Sequence, residues 1–357
     1  MRSQVGYVFS FLVGVSVVTS GTARAREAAG GPQANNEATR LLERLDVMPP
    51  QHFRGLTLFP LELRGGGDGS EYLTFDEAAR AGVLRVWDTG RVEGITMENV
   101  SRREWVFAMA GEVVYGGRQN RMLREDVLLP PGSGPVVVAT YCVEHGRWQG
   151  RSDRFDGSRA LSNYALRSRA LAGAPQQEIW DQVEREQRRF GVESPTRDYD
   201  AVAASPAVTR ELGEYRAAFA PIWQGRTVGF VVAQGRTIVS ADAFTSPRLF
   251  WRLRDKLLDS YAFDCVRRYP ERGDWGLRQV DARDFMARIY DSRFRLTRSP
   301  GAGDDLEFSG NGMSGNALVY RDGVVHLHVT PGQIIRPLPP PEPGPLPIPR
   351  MPQEERR

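Results

Sequence analysis

The sequence predicts an α+β protein in which an antiparallel β-rich region packs against a helical second half. Short apolar and β-branched runs, separated by turns that contain glycine and proline, fill residues 51–150. Longer stretches with helical periodicity follow from residue 151 onward. The length of 357 residues suits one large or two ordinary domains, and an apolar fraction of 41% excludes a wholly disordered chain.

The N-terminus has the features of a cleaved secretory signal. Arg2 supplies a positive start, residues 5–18 form an apolar stretch, and Ala23-Arg24-Ala25 matches the small-x-small cleavage pattern. The alternative is an uncleaved anchor, but the stretch is shorter than the roughly 20 apolar residues that a membrane span requires. We therefore expect a periplasmic or secreted protein whose signal peptide is removed after Ala25.

The charge of the mature chain is close to neutral. Removal of the signal takes away Arg2 and Arg24, which leaves 45 basic residues against 44 acidic ones. Lys256 is the only lysine, which indicates a biased composition rather than a patch that binds nucleic acid. We therefore expect no nucleic-acid partner and no transmembrane span in the mature chain. No sequence motif indicates a cofactor.

The chain divides into five expected segments. They are the signal peptide (1–25), a leader with a short helix (26–50), the β-rich signature region (51–150), a helical region with a β-hairpin (151–335) and a proline-rich tail (336–357). The β-rich and helical regions can form one domain. Proline favours an extended, unpacked chain, so the tail is a candidate for contact with an envelope partner.

Turn residues and apolar periodicity predict the individual elements. The strands of the signature region are expected at Val83–Trp87, Gly94–Val100, Glu104–Met109, Val113–Tyr115, Met122–Leu129 and Val136–Val143. A capping box formed by Thr74 and Glu77 predicts a helix that begins at Phe75. Further helices are expected at Glu37–Leu45, Ser158–Leu171, Gln176–Phe190, Ala207–Phe219, Pro247–Tyr261 and Ala282–Tyr290.

The densest polar chemistry lies in two runs of the signature region. The first run contains Glu112 and then Gly116-Gly117-Arg118-Gln119-Asn120-Arg121; the second is Cys142-Val-Glu144-His145-Gly-Arg147-Trp148. Guanidinium groups suit carboxylates and phosphates, and amide side chains both donate and accept hydrogen bonds. These runs therefore predict a site for a small anionic ligand. The expected ligand-binding set is Glu112, Gly117, Gln119, Asn120, Arg121, Arg147 and Trp148.

Two alternatives remain open for the same residues. A hydrolase would use Glu144 as a general acid or base, or Cys142 as a nucleophile. Neighbouring strand residues point to opposite faces, so His145 is poorly placed to activate Cys142. In the other alternative the residues are scaffold of an envelope interaction protein: Glu112 and Glu144 pair with Arg121 and Arg147.

Other constellations are weaker. His326 and His328 lie two residues apart on a predicted strand, but no third zinc ligand is evident, which favours a solvated strand face. The Asp304-Asp305-x-Glu307 run lacks calcium-loop spacing and is interpreted as an acidic turn. We expect no metal site. Export makes a disulfide between the two cysteines possible, although sequence alone does not establish it; the cysteines are Cys142 and Cys265.

Taken together, the two polar runs resemble a bacterial family, the ARG and Rhodanese-Phosphatase-superfamily-associated protein domain. Further similarity lies in Tyr72-Leu-Thr-Phe-Asp-Glu-Ala-Ala, Gln177-Glu-Ile-Trp-Asp and Ala243-Phe-Thr, and extends over about residues 53–269. The family is a domain of unknown function, and its name implies proximity to nucleotide or ADP-ribose chemistry. The resemblance therefore favours a binding module for a nucleotide-like ligand and leaves enzymatic activity open.

Overall fold

The structure is a computed structural model that describes residues 26–27, 35–67, 69–147, 153–270, 273 and 275–332. The described part is mixed α+β, as predicted. Its helices are α1 Glu37–Leu42, α2 Phe75–Arg80, α3 Tyr164–Leu171, α4 Gln176–Phe190, α5 Tyr199–Ala203, α6 Pro206–Phe219, α7 Pro247–Cys265 and α8 Gln279–Ala287. Short 3-10 helices span Ala220–Ile222 and Arg288–Asp291.

The strands number nineteen over the same residues. They are β1 Arg26–Glu27, β2 Leu45–Val47, β3 Gln51–Phe53, β4 Leu56–Leu63, β5 Tyr72–Thr74, β6 Leu84–Asp88, β7 Gly94–Asn99, β8 Trp105–Ala108, β9 Glu112–Gly116, β10 Arg121–Leu123, β11 Val127–Leu129, β12 Val136–Cys142, β13 Phe155–Leu161, β14 Thr227–Gln234, β15 Thr237–Phe244, β16 Arg293–Arg298, β17 Asp304–Gly310, β18 Met313–Tyr320 and β19 Gly323–Pro331.

The largest sheet joins both predicted regions of the chain. Its ten strands run in the order β1-β16-β17-β18-β19-β15-β14-β4-β2, with β3 paired to β4. Strand β4 comes from the signature region and β14 from the region predicted as helical, and they pair from Leu56 to Glu62 on the β4 side. Every residue of β4 is buried, so this strand is a central element of the sheet.

The signature runs lie on a second, six-stranded sheet of order β13-β9-β10-β12-β7-β6. Strands β9 and β10 form a hairpin, and β12 pairs with β10 so that Arg121 lies opposite Cys142. The two polar runs are therefore adjacent in space although about twenty residues separate them. A third sheet, β11-β8-β5, includes a parallel pair between β5 and β8.

Helix α7 connects these layers. Ser246 caps its start with Pro247 in the first turn, as the sequence predicts. Its apolar face buries side chains along the whole length, among them Leu249, Phe250, Leu253, Leu257, Leu258 and Tyr261. The helix contacts α6 on one side and strands of the two larger sheets, β14 and β13, on the other. Residues on α7 are therefore placed between the signature sheet and the helices.

Three sequence predictions are wrong in detail. The helix expected at Ser158–Leu171 begins only at Tyr164, because the preceding residues form β13 and pair with β9 through two bulges. The strand expected at Met122–Leu129 is two strands, interrupted where Asp126 turns inward to accept a hydrogen bond from the Ala110 amide. The end of the second half contains four strands, β16–β19, where the sequence predicts short strands only near Glu307, at Ala317–Tyr320 and at Val324–Val329; β16 is the strand that the sequence does not predict.

Some expectations fall outside the described residues: the signal peptide, Trp148 and the proline-rich tail. Among the helices that are described, none combines the length and the apolar character needed to cross a bilayer. The two cysteines, Cys142 and Cys265, are both buried and free, so no disulfide joins them.

Candidate functional site

The turn between β9 and β10 is built on two glycines. Gly116 and Gly117 have φ values of 111° and 54°, the left-handed region that favours glycine. A Cβ on Gly117 would lie 2.7 Å from the Phe155 ring, so the position excludes a larger side chain. The polar run therefore owes its shape to these glycines, as the sequence predicts.

Arg147 fastens this turn to the end of β12. Its Nε and Nη2 atoms donate to the two carboxylate oxygens of Glu144 at 2.8 and 2.7 Å. Its Nη1 donates to the Gly117 carbonyl at 2.9 Å, and its Nη2 also reaches the Gly116 carbonyl at 3.2 Å. The donors of this guanidinium therefore bind groups of the protein itself. This is the pairing of Glu144 with Arg147 that the scaffold alternative predicts.

The amide side chains of the first run are also engaged. The Asn120 backbone amide donates to Glu144 at 3.1 Å, and its side-chain amide donates to both oxygens of Asp198 at 3.0 Å. Gln119 donates to the Glu144 carbonyl at 2.8 Å and accepts from Arg121 at 3.1 Å. We call Gln119, Asn120, Arg121, Glu144, Arg147 and Asp198 the signature network.

Arg121 has side-chain donors that no group in the described part of the chain accepts. Its side chain is fully buried, and its nearest carboxylate oxygen is on Asp88 at 4.0 Å. Within the described part of the chain, its Nε and Nη2 atoms have no hydrogen-bond partner. An enclosed donor of this kind is a place for a bound water or anion.

Glu112 pairs with a lysine, so the expected pairing with arginine is wrong. The Lys256 ammonium donates to Glu112 at 2.9 Å and to Asp76 at 2.8 Å. Burial alone would lower the pKa of Lys256, but these two carboxylates outweigh it and raise that pKa. Burial raises the pKa of the Glu112 carboxyl. The lysine is therefore a firmly charged group that connects α7 to α2 and β9.

The thiol of Cys142 is buried and contacts the main chain. Its Sγ contacts the Glu144 carbonyl at 3.1 Å, while the His145 ring packs on Trp180 with 4.2 Å between ring centroids. Burial raises the pKa of the Cys142 thiol, although the charge of Arg121 opposes this shift. A buried thiol with a raised pKa is a poor nucleophile at neutral pH.

Beside the signature network lies a cavity of about 230 Å³, which we call the helix-lined cavity. Residues of α5, α6, α7, β9 and β13 line it, and most of its wall is apolar. Its polar lining residues are Tyr115, Tyr199, Asp200, Thr209, Arg216, Lys256 and Asp259. None of these residues is predicted from the sequence. One signal was available, because Lys256 is the only lysine and lies three positions before Asp259, which places both side chains on one face of a helix.

The signature residues reach this cavity from two sides. Glu112 holds Lys256 at one wall. On the other side, Asp198 binds Asn120 and caps α5 by accepting from the Asp200 amide at 3.1 Å. Residues of α5 then form part of the cavity wall. The first polar run therefore supports the cavity at two points rather than lining it, and the second run joins it there through a β-bridge between Glu144 and Asp198.

With this geometry in view, comparison with known families is informative. The sequence model of the ARG and Rhodanese-Phosphatase-superfamily-associated Protein domain, ARPP-1, matches residues 44–330. The chain belongs to this family. The match contains the signature network and every residue that lines the helix-lined cavity. No curated protein and no solved structure gives a significant match to the chain.

Within the ARPP-1 domain, two lining residues of the cavity, Arg216 and Asp259, form an ion pair with each other. The Arg216 Nη1 lies 3.2 Å from the Asp259 Oδ2, and the side chains are 40% and 26% exposed. The Asp259 Oδ1 has no hydrogen-bond partner within the described residues. Burial raises the pKa of Asp259 to about 7, against the opposing charge of Arg216. The carboxyl therefore changes charge near neutral pH.

A second buried cluster in the ARPP-1 domain corrects the expectation for the two histidines. His326 and His328 share one face of β19, but both are 2% exposed, so the prediction of a solvated strand face is wrong. His326 bonds Asp126 at 2.7 Å and Asp242 at 3.1 Å, while His328 bonds Asp242 at 2.8 Å. Arg167 completes the cluster with an ion pair to Asp242 at 2.9 Å.

The acidic run near residue 305 is also part of the sheet. Asp304, Asp305 and Glu307 belong to β17, so the acidic turn is wrong, and Glu307 pairs with Arg295 on β16. Across the residues that the structure describes, no group of three or more His, Cys, Asp or Glu side chains has a geometry that holds a metal ion.

Proposed function

We propose that the protein is a binding module for a small ligand with an anionic group, and that the helix-lined cavity is its binding site. One observation carries this proposal: the first signature run is connected to two walls of that cavity, through the Glu112–Lys256 ion pair and, by way of the start of α5, through the Asn120–Asp198 hydrogen bonds. Concave, mostly apolar sites with a few convergent polar groups are the usual form of ligand sites.

The volume limits the size of the ligand. Sites for drug-sized molecules occupy roughly 300–1,000 Å³, and the cavity of about 230 Å³ is below that range. A nucleotide or ADP-ribose is the class that the family name suggests. The cavity itself favours a smaller molecule, or only one end of a larger one.

A charged residue of the cavity lining, Arg216, can bind the anionic end of the ligand. Within the described residues, Arg216 has one ion pair, which occupies its Nη1, so its planar guanidinium keeps donors for a ligand carboxylate or phosphate. In this proposal Gln119, Asn120, Glu144 and Arg147 are positioning residues, because their polar groups already bind one another and the main chain.

Calorimetric titration tests the proposal with inorganic phosphate, ribose 5-phosphate, AMP and ADP-ribose. Arg216→Ala is expected to weaken binding at least tenfold, whereas Arg210→Ala, on the exposed side of the same helix, is expected to leave it unchanged. Arg121→Met is the third variant to be titrated, because the unpaired donors of Arg121 within the described residues make the signature network an alternative anion site.

The outcomes separate the two sites. Loss of binding in Arg216→Ala with retention in Arg121→Met supports the cavity. The reverse pattern overturns the cavity assignment in favour of the signature network. The sole lysine offers an independent check: a bound ligand is expected to slow reductive methylation of Lys256, measured by mass spectrometry of the peptide that contains it.

Export is the second part of the proposal, and it rests on the N-terminal pattern that ends at Ala25. Expression of the full chain in a bacterial host, followed by fractionation and N-terminal sequencing, is expected to give a periplasmic protein that begins at Arg26. A cytoplasmic product that retains Met1 would contradict this part while leaving the ligand proposal untouched.

A further inference from the structure

We infer that the ligand of the helix-lined cavity is a small zwitterion, with one carboxylate, one ammonium group and an aliphatic body, as in a free aliphatic amino acid. This inference rests on the proposed function and narrows its ligand class. It comes from three features of the cavity: charges of both signs, an apolar wall and a small volume.

The cavity presents charges of both signs. Arg216 and Lys256 are its cations, and Asp200 and Asp259 are its carboxylates. The ion pair between Arg216 and Asp259 joins Nη1 to Oδ2, and among the residues that the structure describes the Asp259 Oδ1 has no hydrogen-bond partner. The terminal torsion of an aspartate is broad, so a small rotation presents this oxygen to a ligand. A carboxylate at Arg216 and an ammonium at Asp259 would then satisfy both side chains.

A phosphate suits the same lining less well. A doubly charged phosphate beside Arg216 would also approach the carboxylates of Asp200 and Asp259, which line the same small cavity, and like charges repel. Lys256 gives little compensation, because its ammonium already donates to Glu112 and Asp76. A ligand that brings its own positive group removes this conflict.

The rest of the wall is suited to an aliphatic group. It is formed by Ala160, Leu161, Ala203, Ala204, Leu212 and Phe263, most of them aliphatic. Transfer of a side chain of four or five carbon atoms to such a wall is favourable, because it removes apolar surface from water. The volume of about 230 Å³ limits the ligand to about this size.

The charge state of Asp259 makes the inference sensitive to pH. The charged and titratable groups that surround it are Arg216 of α6, Tyr199 and Asp200 of α5, Tyr115 of β9, and Asp255 and Lys256 of its own helix. Burial raises the pKa of Asp259 to about 7, so its ionised fraction rises between pH 6 and pH 8. An ammonium ligand binds the ionised form, and its affinity is expected to increase about tenfold over that interval.

The test titrates the full-length wild type with L-leucine and L-methionine. Two analogues of leucine serve as matched probes: leucinamide lacks the carboxylate, and N-acetyl-leucine lacks the ammonium. We expect a free amino acid to bind and both analogues to bind at least tenfold more weakly. This comparison uses the wild type alone, so it does not depend on the folding of any variant.

Substitution Asp259→Asn tests the pH dependence of binding, a quantity that would not change if Asp259 had only a structural role. It is expected to weaken leucine binding at least tenfold and to remove the increase between pH 6 and pH 8, while Arg210→Ala changes neither quantity. N-acetyl-leucine that binds as tightly as leucine would overturn the zwitterion. Binding of ribose 5-phosphate without binding of any amino acid would overturn it too, yet leave the proposed function standing. No binding by any of the probes would overturn both.

Discussion

The ammonium of Lys256 lies 2.9 Å from the carboxylate of Glu112, and this contact ties helix α7 to the first strand of the signature hairpin. Lys256 is 15% exposed and Glu112 1%. A buried pair of this kind is costly to break from one side, because the remaining charge has no compensation. The pair therefore fixes where α7 lies against the signature sheet, and with it the position of the cavity wall.

Substitution Lys256→Met is expected to destabilise the protein by about 3–5 kcal/mol at pH 8, since Glu112 is left charged and buried. Protonation of Glu112 relieves that cost, so the loss should be smaller at pH 5. Urea unfolding at the two pH values measures it. The double variant Glu112→Gln/Lys256→Met should recover part of the stability; no recovery would mean that the two side chains do not act as a pair.

The histidine cluster predicts an alkaline loss of stability. Burial alone would lower the pKa of His326, but Asp126 and Asp242 raise it to about 9 from an ordinary 6.5. Protonation therefore stabilises the fold fully below about pH 6.5, and this contribution of about 3 kcal/mol disappears as the pH rises through 9.

Unfolding free energies of the wild type and of His326→Gln, measured from pH 6 to pH 9.5, test this expectation. The variant should be less stable at pH 6 and should show a flatter profile. His52→Gln is the matched control, because His52 lies on an exposed strand. Equal slopes for the wild type and His326→Gln would show that another group carries the pH dependence.

Arg147 is expected to control the order of the glycine turn. Arg147→Met removes two hydrogen bonds to Glu144 and two to main-chain carbonyls, which predicts a loss of about 2–4 kcal/mol. Hydrogen exchange should quicken at residues 116–121 and 198–203, because Glu144 and Asn120 tie these segments together. Arg118→Ala is the control, and exchange that quickens equally in both variants would contradict a specific role of Arg147.

The thiols should be unreactive in the folded protein. Cys142 and Cys265 are buried and free, and burial raises the pKa of each thiol. We expect Ellman's reagent to react slowly with the native protein and to report two thiols after unfolding in urea without reductant. No thiol in the unfolded sample would indicate a disulfide between the two cysteines instead.

Local signals in the sequence were sufficient for many elements. The capping box of Thr74 and Glu77 places α2, and the apolar stripe of α4 gives its bounds, Gln176–Phe190. Strand β13 was interpreted as helix because its identity comes from pairing with β9, and its glycine and bulges weaken the alternating pattern. Long-range pairing of this kind leaves no local mark in the chain.

The candidate site shows the same division. Residue types and glycine spacing predict the members of the signature network other than Asp198, including the Glu144–Arg147 pair. The partner of Glu112 was missed, because Lys256 is 144 residues away and reaches it only through the packing of α7. His326 and His328 were assigned to solvent because Asp126 and Asp242 approach them from distant strands and loops.

The pairing of β4 with β14 bears on how the chain reaches its native state. Strand β4 ends at residue 63, yet its partner ends at residue 234, and β15 pairs with β19, the last strand described. Contacts between such distant segments require large loops to close, which slows folding. The central ladder cannot form until most of the chain has been synthesised. The large sheet is therefore completed late in synthesis, when the strands of the six-stranded sheet, all between residues 84 and 161, have long been available to pair.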